Sequence, residues 1–117
     1  MKTGIEIITE ERARQITAEG WTPEHDAEHS TDELAVAAAL YALPAAKRGM
    51  DRRIVQMSST RGLADPNDFH LVQVSVPCGW PWDVECWKPT PGNRIRELAK
   101  AGALCAAEID RLQRKET

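Results

Sequence analysis

Between residues 91 and 114 the chain reads PGNRIRELAKAGALCAAEIDRLQR. Ile95, Leu98, Gly102, Cys105, Ile109 and Leu112 recur there at steps of 3, 4, 3, 4 and 3. That is the a/d rhythm of a helix with one apolar stripe. At about two and a half heptads it is short for a free coiled coil, so it reads as the seam of a helical bundle. Thr90 and Pro91 offer a cap and a first turn, with Asn93 as the alternative cap. Cys105 stands on the stripe and is expected in the core as a small hydrophobe. Ala101, Gly102 and Ala103 form a notch that admits close approach of a second element.

Two further helices are expected upstream. Over residues 3–19, Ile5, Ile8, Arg12, Gln15 and Ile16 share one face, and Gly20 supplies a left-handed stop. Ser30-Thr31-Asp32-Glu33 has the form of a capping box, and Asp32 and Glu33 suit the positive end of a helix dipole. The helix it opens carries Leu34, Ala37, Ala38 and Tyr41 on one face and is limited by Pro44. The region 44–77 differs in character. Residues 47–53 form a basic, glycine-containing run expected at the surface. Residues 54–57 and 69–76 are β-rich, and the turn chemistry of Arg61-Gly62 and 65–68 lies between them. An antiparallel hairpin inserted between the second and third helices follows. Two strands alone are marginal in water, so they should lie on the helices or pair with another subunit. The expected fold is thus α+β, mainly α, in one domain spanning residues 1–117.

Composition bounds the function. The 117 residues carry 15 basic and 18 acidic side chains, for a net charge of −3, which argues against binding duplex DNA by broad phosphate neutralisation. No stretch approaches the ~18 apolar residues of a membrane span, and residues 1–12 have no signal-peptide core, so a cytoplasmic protein is expected. Three cysteines without a C-x-x-C pair do not make a disulfide framework. A domain of this size buries only about two-thirds of its unfolded surface, and self-association would help it.

Two segments carry chemistry. In residues 21–29, Trp21 precedes Glu24, His25, Asp26, Glu28 and His29. The H-x3-H spacing of His25 and His29 would serve a metal on a helix, but no third soft ligand lies nearby. The same side chains could instead fix a polar loop or contact a ligand. In residues 79–89, Trp80, Trp82 and Trp87 fall among prolines. A chain with one Phe and one Tyr needs some of these rings in its core. One ring could also wall a pocket on which a nucleobase stacks, with Lys88, Arg94 and Arg96 for phosphate. Trp21, Trp82 and Trp87 are the stacking candidates, and His25, Asp26 and His29 the polar contacts. No P-loop, nucleophile elbow or Rossmann fingerprint is present. Nor do Glu10-Glu11, Asp32-Glu33 or Glu108-Ile109-Asp110 reproduce the paired E-x-x-E helices of magnesium-dependent nucleotide pyrophosphohydrolases. No catalytic residue, cofactor or metal is therefore assigned.

Several blocks together resemble a widespread group of small phage and prophage proteins of unassigned activity. They are Glu11, Arg12, Gln15 and Ile16; Glu19 through Asp26 with His29; Glu33-Leu34-Ala35 with Ala37-Ala38; Trp80-Pro81-Trp82; Trp87-Lys88-Pro89; and Arg96-Glu97-Leu98 with Lys100 through Leu104, Ala107-Glu108-Ile109 and Arg111. A weaker similarity, through Gly20-Trp21, Asp26, His29 and Pro89, is to ryanodine-receptor repeat domains. The phage resemblance implies an accessory protein concerned with nucleotide pools, host takeover or evasion of host defence. The expectation that follows is a non-enzymatic binder, a homo-oligomer in some cases, of a nucleotide-like small ligand such as a host defence signal. The alternatives are an inhibitor that docks on a host protein through the helical seam or the hairpin edge, and a magnesium-dependent nucleotide hydrolase.

Overall fold

The computed structural model describes residues 1–22, 24, 32–58 and 69–115. Among them, helix α1 spans Gly4–Ala18, α2 Glu33–Ala42 and α3 Arg94–Lys115, with strands β1 (Met50–Ser58) and β2 (Phe69–Pro77) between α2 and α3. The architecture is α+β and mainly α, as the periodicities imply.

Each helix boundary has a local cause. Thr3 caps α1: its hydroxyl accepts the Glu6 N–H at 3.2 Å while the Glu6 carboxylate accepts the Thr3 N–H at 3.4 Å. Gly20, at φ 72°, turns the chain so that the Trp21 N–H returns to the Gln15 carbonyl at 3.0 Å. At α2 the described N-cap is Asp32, without a side-chain cap bond, and the Glu33 carboxylate accepts from the Trp82 indole at 3.0 Å; the box expected from Ser30 to Glu33 falls outside the described residues at Ser30. Helix α3 begins three residues after Pro91, because Gly92 adopts φ 80° and the Asn93 side chain caps the Arg96 N–H at 3.1 Å.

The helices run antiparallel in sequence. Ile8 of α1 meets Gly102, and Glu11, one turn on, faces Arg96 at 3.7 Å. Ile8 lies so close that a Cβ on Gly102 would fall 2.5 Å from its Cδ1, so the small-residue notch is filled by α1. Arg94 donates to the Tyr41, Ala42 and Leu43 carbonyls and so closes the C-terminus of α2. The core lies between α2 and α3: Leu34, Ala37, Ala38 and Tyr41 face Ala101, Leu104 and Ala107, with Val76 and Trp80 beneath.

The predicted a/d seam of α3 is not this interface. Ile95, Leu98, Ile109 and Leu112 are 66%, 45%, 57% and 44% exposed, and Cys105 is exposed too. The buried stripe is a second one at the same spacing: Glu97, Lys100, Ala101, Leu104, Ala107, Glu108 and Arg111. Its alanines meet the alanines of α2 and let the backbones approach, and its charges find partners. Glu108, for one, accepts from Arg111 at 2.5 Å. On α1, likewise, Ile5 is exposed while Glu11 and Gln15 are buried.

The hairpin pairs Met50 with Pro77 through Ser58 with Phe69. It starts four residues earlier than composition suggests and takes in part of the basic run. Arg53, on the face that also carries half-buried Val55, Val72 and Val74, donates to the Trp80 and Trp82 carbonyls at 2.6 Å each. Arg48 is also withdrawn from solvent. It donates to the Leu40 carbonyl at 2.7 Å and pairs with Glu97 at 3.0 Å, the two side chains being 4% and 7% exposed. The expectation of a wholly exposed basic run therefore fails at these two residues, because each satisfies backbone carbonyls that the fold would otherwise bury bare.

Candidate functional site

The tryptophan segment enters from β2 through a turn at Cys78-Gly79, where the Cys78 N–H bonds the Gly49 carbonyl at 2.8 Å and Gly79 sits at φ 85°. From there the rings form one connected group. Trp80 is buried, at 5.4 Å from Trp82, 5.1 Å from Trp87 and 5.9 Å from Tyr41. Trp87 lies 4.6 Å from Tyr41 and carries the Arg48 guanidinium 5.1 Å above it. Trp21 joins at 6.0 Å from Trp82, so this one residue of the 21–29 segment meets the tryptophan segment in space. Trp80 donates its indole N–H to the Asp83 carbonyl at 3.0 Å.

Beside this group, α1, α3 and residues 86–90 enclose a cavity of about 230 Å³. Arg14, Lys88, Arg96 and Lys100 bring four cations to its wall, against the two carboxylates Glu11 and Glu19; Gln15, Trp21 and Tyr41 complete the polar and aromatic lining. Two positive charges are thus in excess, in a chain whose net charge is −3. Arg14 grips Glu11 through two bonds of 2.8 and 2.7 Å and reaches Glu19 at 3.1 Å. Lys88 pairs with Glu19 at 3.0 Å. The excess therefore rests on Arg96, which is 42% exposed and only 3.7 Å from Glu11, and on Lys100.

Protonation follows from this packing. Burial pushes the Glu11 carboxyl up, but the Arg14 bonds and the charges of Arg14 and Arg96 outweigh it and hold it below the ordinary carboxylate value. Glu19 is held low in the same way, with Lys88 and Arg14 overcoming burial. Lys100 moves down, first because it is buried and next because Arg96 is near, although Glu11 opposes this. It donates to the Lys88 carbonyl at 2.5 Å and lies 5.6 Å over the Tyr41 ring. Tyr41 itself is pushed up to about 12 by burial, the Lys88 N–H donating to its oxygen at 3.0 Å notwithstanding.

One acceptor in the wall has no donor. Gln15 is 1% exposed and lines the cavity; its side-chain nitrogen donates weakly to Glu11 at 3.4 Å, and its Oε1 has no hydrogen-bond partner. A buried bare amide oxygen costs about 1–3 kcal/mol, so its satisfaction by a bound group would be favoured. A second cavity of about 350 Å³ lies across the Glu11, Arg14 and Arg96 side chains, bordered also by Ile7, Asn93 and Ile95.

Of the residues expected at a site, Trp21, Lys88 and Arg96 line the cavity. Trp82, Trp87 and Arg94 do not: the two rings are packed against the core, and Arg94 closes α2. His25, Asp26 and His29 fall outside the described residues. Sequence reading passed over Glu11, Arg14, Gln15, Glu19, Tyr41 and Lys100. A usable signal was present on α1, where Glu11, Arg14 and Gln15 sit at three- and four-residue steps, and on α3, where Glu97 and Lys100 share the helical spacing of Leu104. Among the described residues no helix is long and apolar enough to cross a membrane. Comparison with family models, curated proteins and solved structures finds no match.

Proposed function

We propose that the chain binds a small, phosphate-bearing, nucleotide-like molecule in the cavity between α1, α3 and residues 86–90, and holds it without transforming it. The observation that carries this reading is the surplus of two cations around a cavity lined also by Gln15, whose buried side-chain oxygen has no hydrogen-bond partner. An anion satisfies Arg96 and Lys100, and an N–H or O–H on the same molecule satisfies Gln15. Both requirements are met by a phosphorylated sugar or base, and by neither an apolar ligand nor a bare cation. Trp21 supplies the flat wall for stacking. A cavity of about 230 Å³ is below the ~300–1,000 Å³ of a drug-sized site. It accommodates one part of such a ligand, and the adjoining cavity beyond Arg96 takes the remainder. The resemblance to small phage and prophage proteins gives the role: sequestration of a nucleotide signal in the cytoplasm of a host cell.

The test is thermal unfolding against mono-, di- and cyclic nucleotides and inorganic phosphate, with and without magnesium. A ligand at 100 times its Kd adds ~2.7 kcal/mol, which shifts a domain of this size by several degrees. The expected result is a shift with some compounds, lost in Arg96→Gln and reduced in Trp21→Leu, with the ligand recovered intact after denaturation. Magnesium-dependent breakdown of the ligand would make the protein a hydrolase and overturn the binding-only reading. No shift with any compound would overturn the site.

A further inference from the structure

The two cavities that meet at Arg96 differ in charge, and the difference narrows the class of molecule they would share. The inner one, against residues 86–90, has two cations in excess. In the outer one Arg14 and Arg96 face Glu10 and Glu11, so its wall is balanced, and Ile7 and Ile95 add hydrocarbon to it. Arg96 borders both. Among the described residues its guanidinium makes no hydrogen bond, and its one ion pair, with Glu11, is long at 3.7 Å. Arg14, the other cation common to both, has its three side-chain nitrogens bound to Glu11 and Glu19. The anion of a bound molecule therefore rests on Arg96, at the boundary, with space on either side of it.

With the inner cavity taken as a phosphate site, the reading proposed above on which this step rests, we infer that the ligand is a phosphodiester with a neutral organic group on each side of its phosphate. One group lies against Trp21 in the inner cavity, and the other lies beside Ile7 and Ile95 in the outer one. Three features favour this class. At about 230 and 350 Å³, neither cavity much exceeds the lower end of the ~300–1,000 Å³ range of small-molecule sites, whereas a molecule spanning both has room for two organic groups. A diester carries a single negative charge. A terminal phosphate carries about −1.5 to −2 at pH 7, and at Arg96 it would stand beside the Glu11 carboxylate, which Arg14 fixes through two bonds. A polyphosphate tail would place still more charge in the outer cavity, where two carboxylates already offset the two arginines.

Calorimetric titration of the full chain provides the test, with dinucleoside monophosphates built from each of the four bases, the matching nucleoside monophosphates and the matching triphosphates. For the preferred base the diester should bind about tenfold or more tighter than the monophosphate, because it adds an apolar contact in the outer cavity. The triphosphate should bind no tighter than the monophosphate. Arg96→Gln should weaken all three, since the phosphate is common to them. Ile95 borders the outer cavity and is 66% exposed, so in Ile95→Ala the helical circular dichroism should persist while the diester's advantage over the monophosphate falls by roughly threefold or more. A monophosphate or triphosphate that matches every diester overturns the inference and leaves the phosphate site standing. A diester advantage that Ile95→Ala does not reduce overturns the placement of the second group. Binding by none of the three classes removes the phosphate site, and the inference with it.

Discussion

Helix α3 carries two stripes of equal period and opposite fate. One is apolar, from Ile95 to Leu112, and faces outward; the other mixes Ala101, Leu104 and Ala107 with Glu97, Lys100, Glu108 and Arg111, and lies inside. The difference teaches that burial here follows close approach and pairing more than hydrophobicity alone. Helix α2 presents Ala37 and Ala38 at the contact, and alanine opposite alanine brings two helices nearer than isoleucine opposite leucine. That nearness lets Arg48, Arg94 and Lys100 span to the partners they satisfy. The outward stripe keeps its large branched side chains in solvent and carries no charge.

The largest expected effect tests whether the mixed stripe carries the fold. Arg48 and Glu97 form its most enclosed ion pair, and Glu97 also accepts the Thr90 N–H at 3.2 Å. Arg48→Ala leaves that carboxylate buried without its main cation and should cost about 3–5 kcal/mol, read as a lower midpoint in urea. It also strips the cover from Trp87, so the summed tryptophan emission should change with the same substitution. Next comes a matched pair of truncations. Leu104→Ala, at a fully buried position, should cost about 2–5 kcal/mol. Ile109→Ala, at a position 57% exposed, should stay within ~0.5 kcal/mol. Equal losses at the two positions would erase the distinction between the stripes.

Much of the fold was legible in the sequence, and its errors share one source. The Thr3 and Gly20 boundaries, the face of α2 and the two strands all follow from local rules that tertiary packing does not contradict. The orientation of α3 does not, because periodicity identifies stripes and cannot rank two of them of equal period when the buried one owes its place to alanines that fit those of α2. The candidate site divides in the same way. Trp21, Lys88 and Arg96 were legible because a ring and basic residues near a helix start imply anion binding. Gln15 and Lys100 were not: Gln15 was placed on the apolar face of the first helix but not as a bare acceptor, and Lys100 looks like an exposed residue until its partners are placed. Arg94 was misread for the converse reason: its charge suggested phosphate, while the bare carbonyls that end α2 were invisible in one dimension.

Tyr41 joins the core to the cavity and is the only tyrosine, so its ionisation can be followed by absorbance without interference. Its folded value of about 12 lies above the ordinary 10.0. A raised acid pKa contributes stability that is fully present below pH 10 and is lost as the pH climbs toward 12. The two-unit difference corresponds to ~2–3 kcal/mol. Tyrosinate absorbance in the folded protein should therefore stay flat through pH 10 and rise together with alkaline unfolding. An absorbance step near 10 without unfolding would show that the ring is open to water and that the core ends short of it.

The smallest stability effect separates site from scaffold most cleanly. Lys88 and Glu19 form an ion pair in the cavity wall with side chains 56% and 17% exposed, in contrast to the enclosed Arg48–Glu97 pair. Exposed pairs contribute about 0–1 kcal/mol, so Lys88→Gln should leave the urea midpoint nearly unchanged. Its backbone bonds, the N–H to Tyr41 and the carbonyl to Lys100, do not involve the ammonium and remain. What changes is charge: one cation is removed from the wall while Glu19 is left facing the cavity. The acid limb records this independently. Glu19 has a depressed pKa, so it contributes stability that is present above about 4.5 and is lost as the pH falls through its folded value. Without Lys88 the folded value rises toward the ordinary one, so that loss should be smaller and complete at a higher pH. Ligand-induced stabilisation should fall further than stability itself, since the two surplus charges become one. A variant that lost stability and ligand response in equal measure would instead place Lys88 in the scaffold, alongside Arg48.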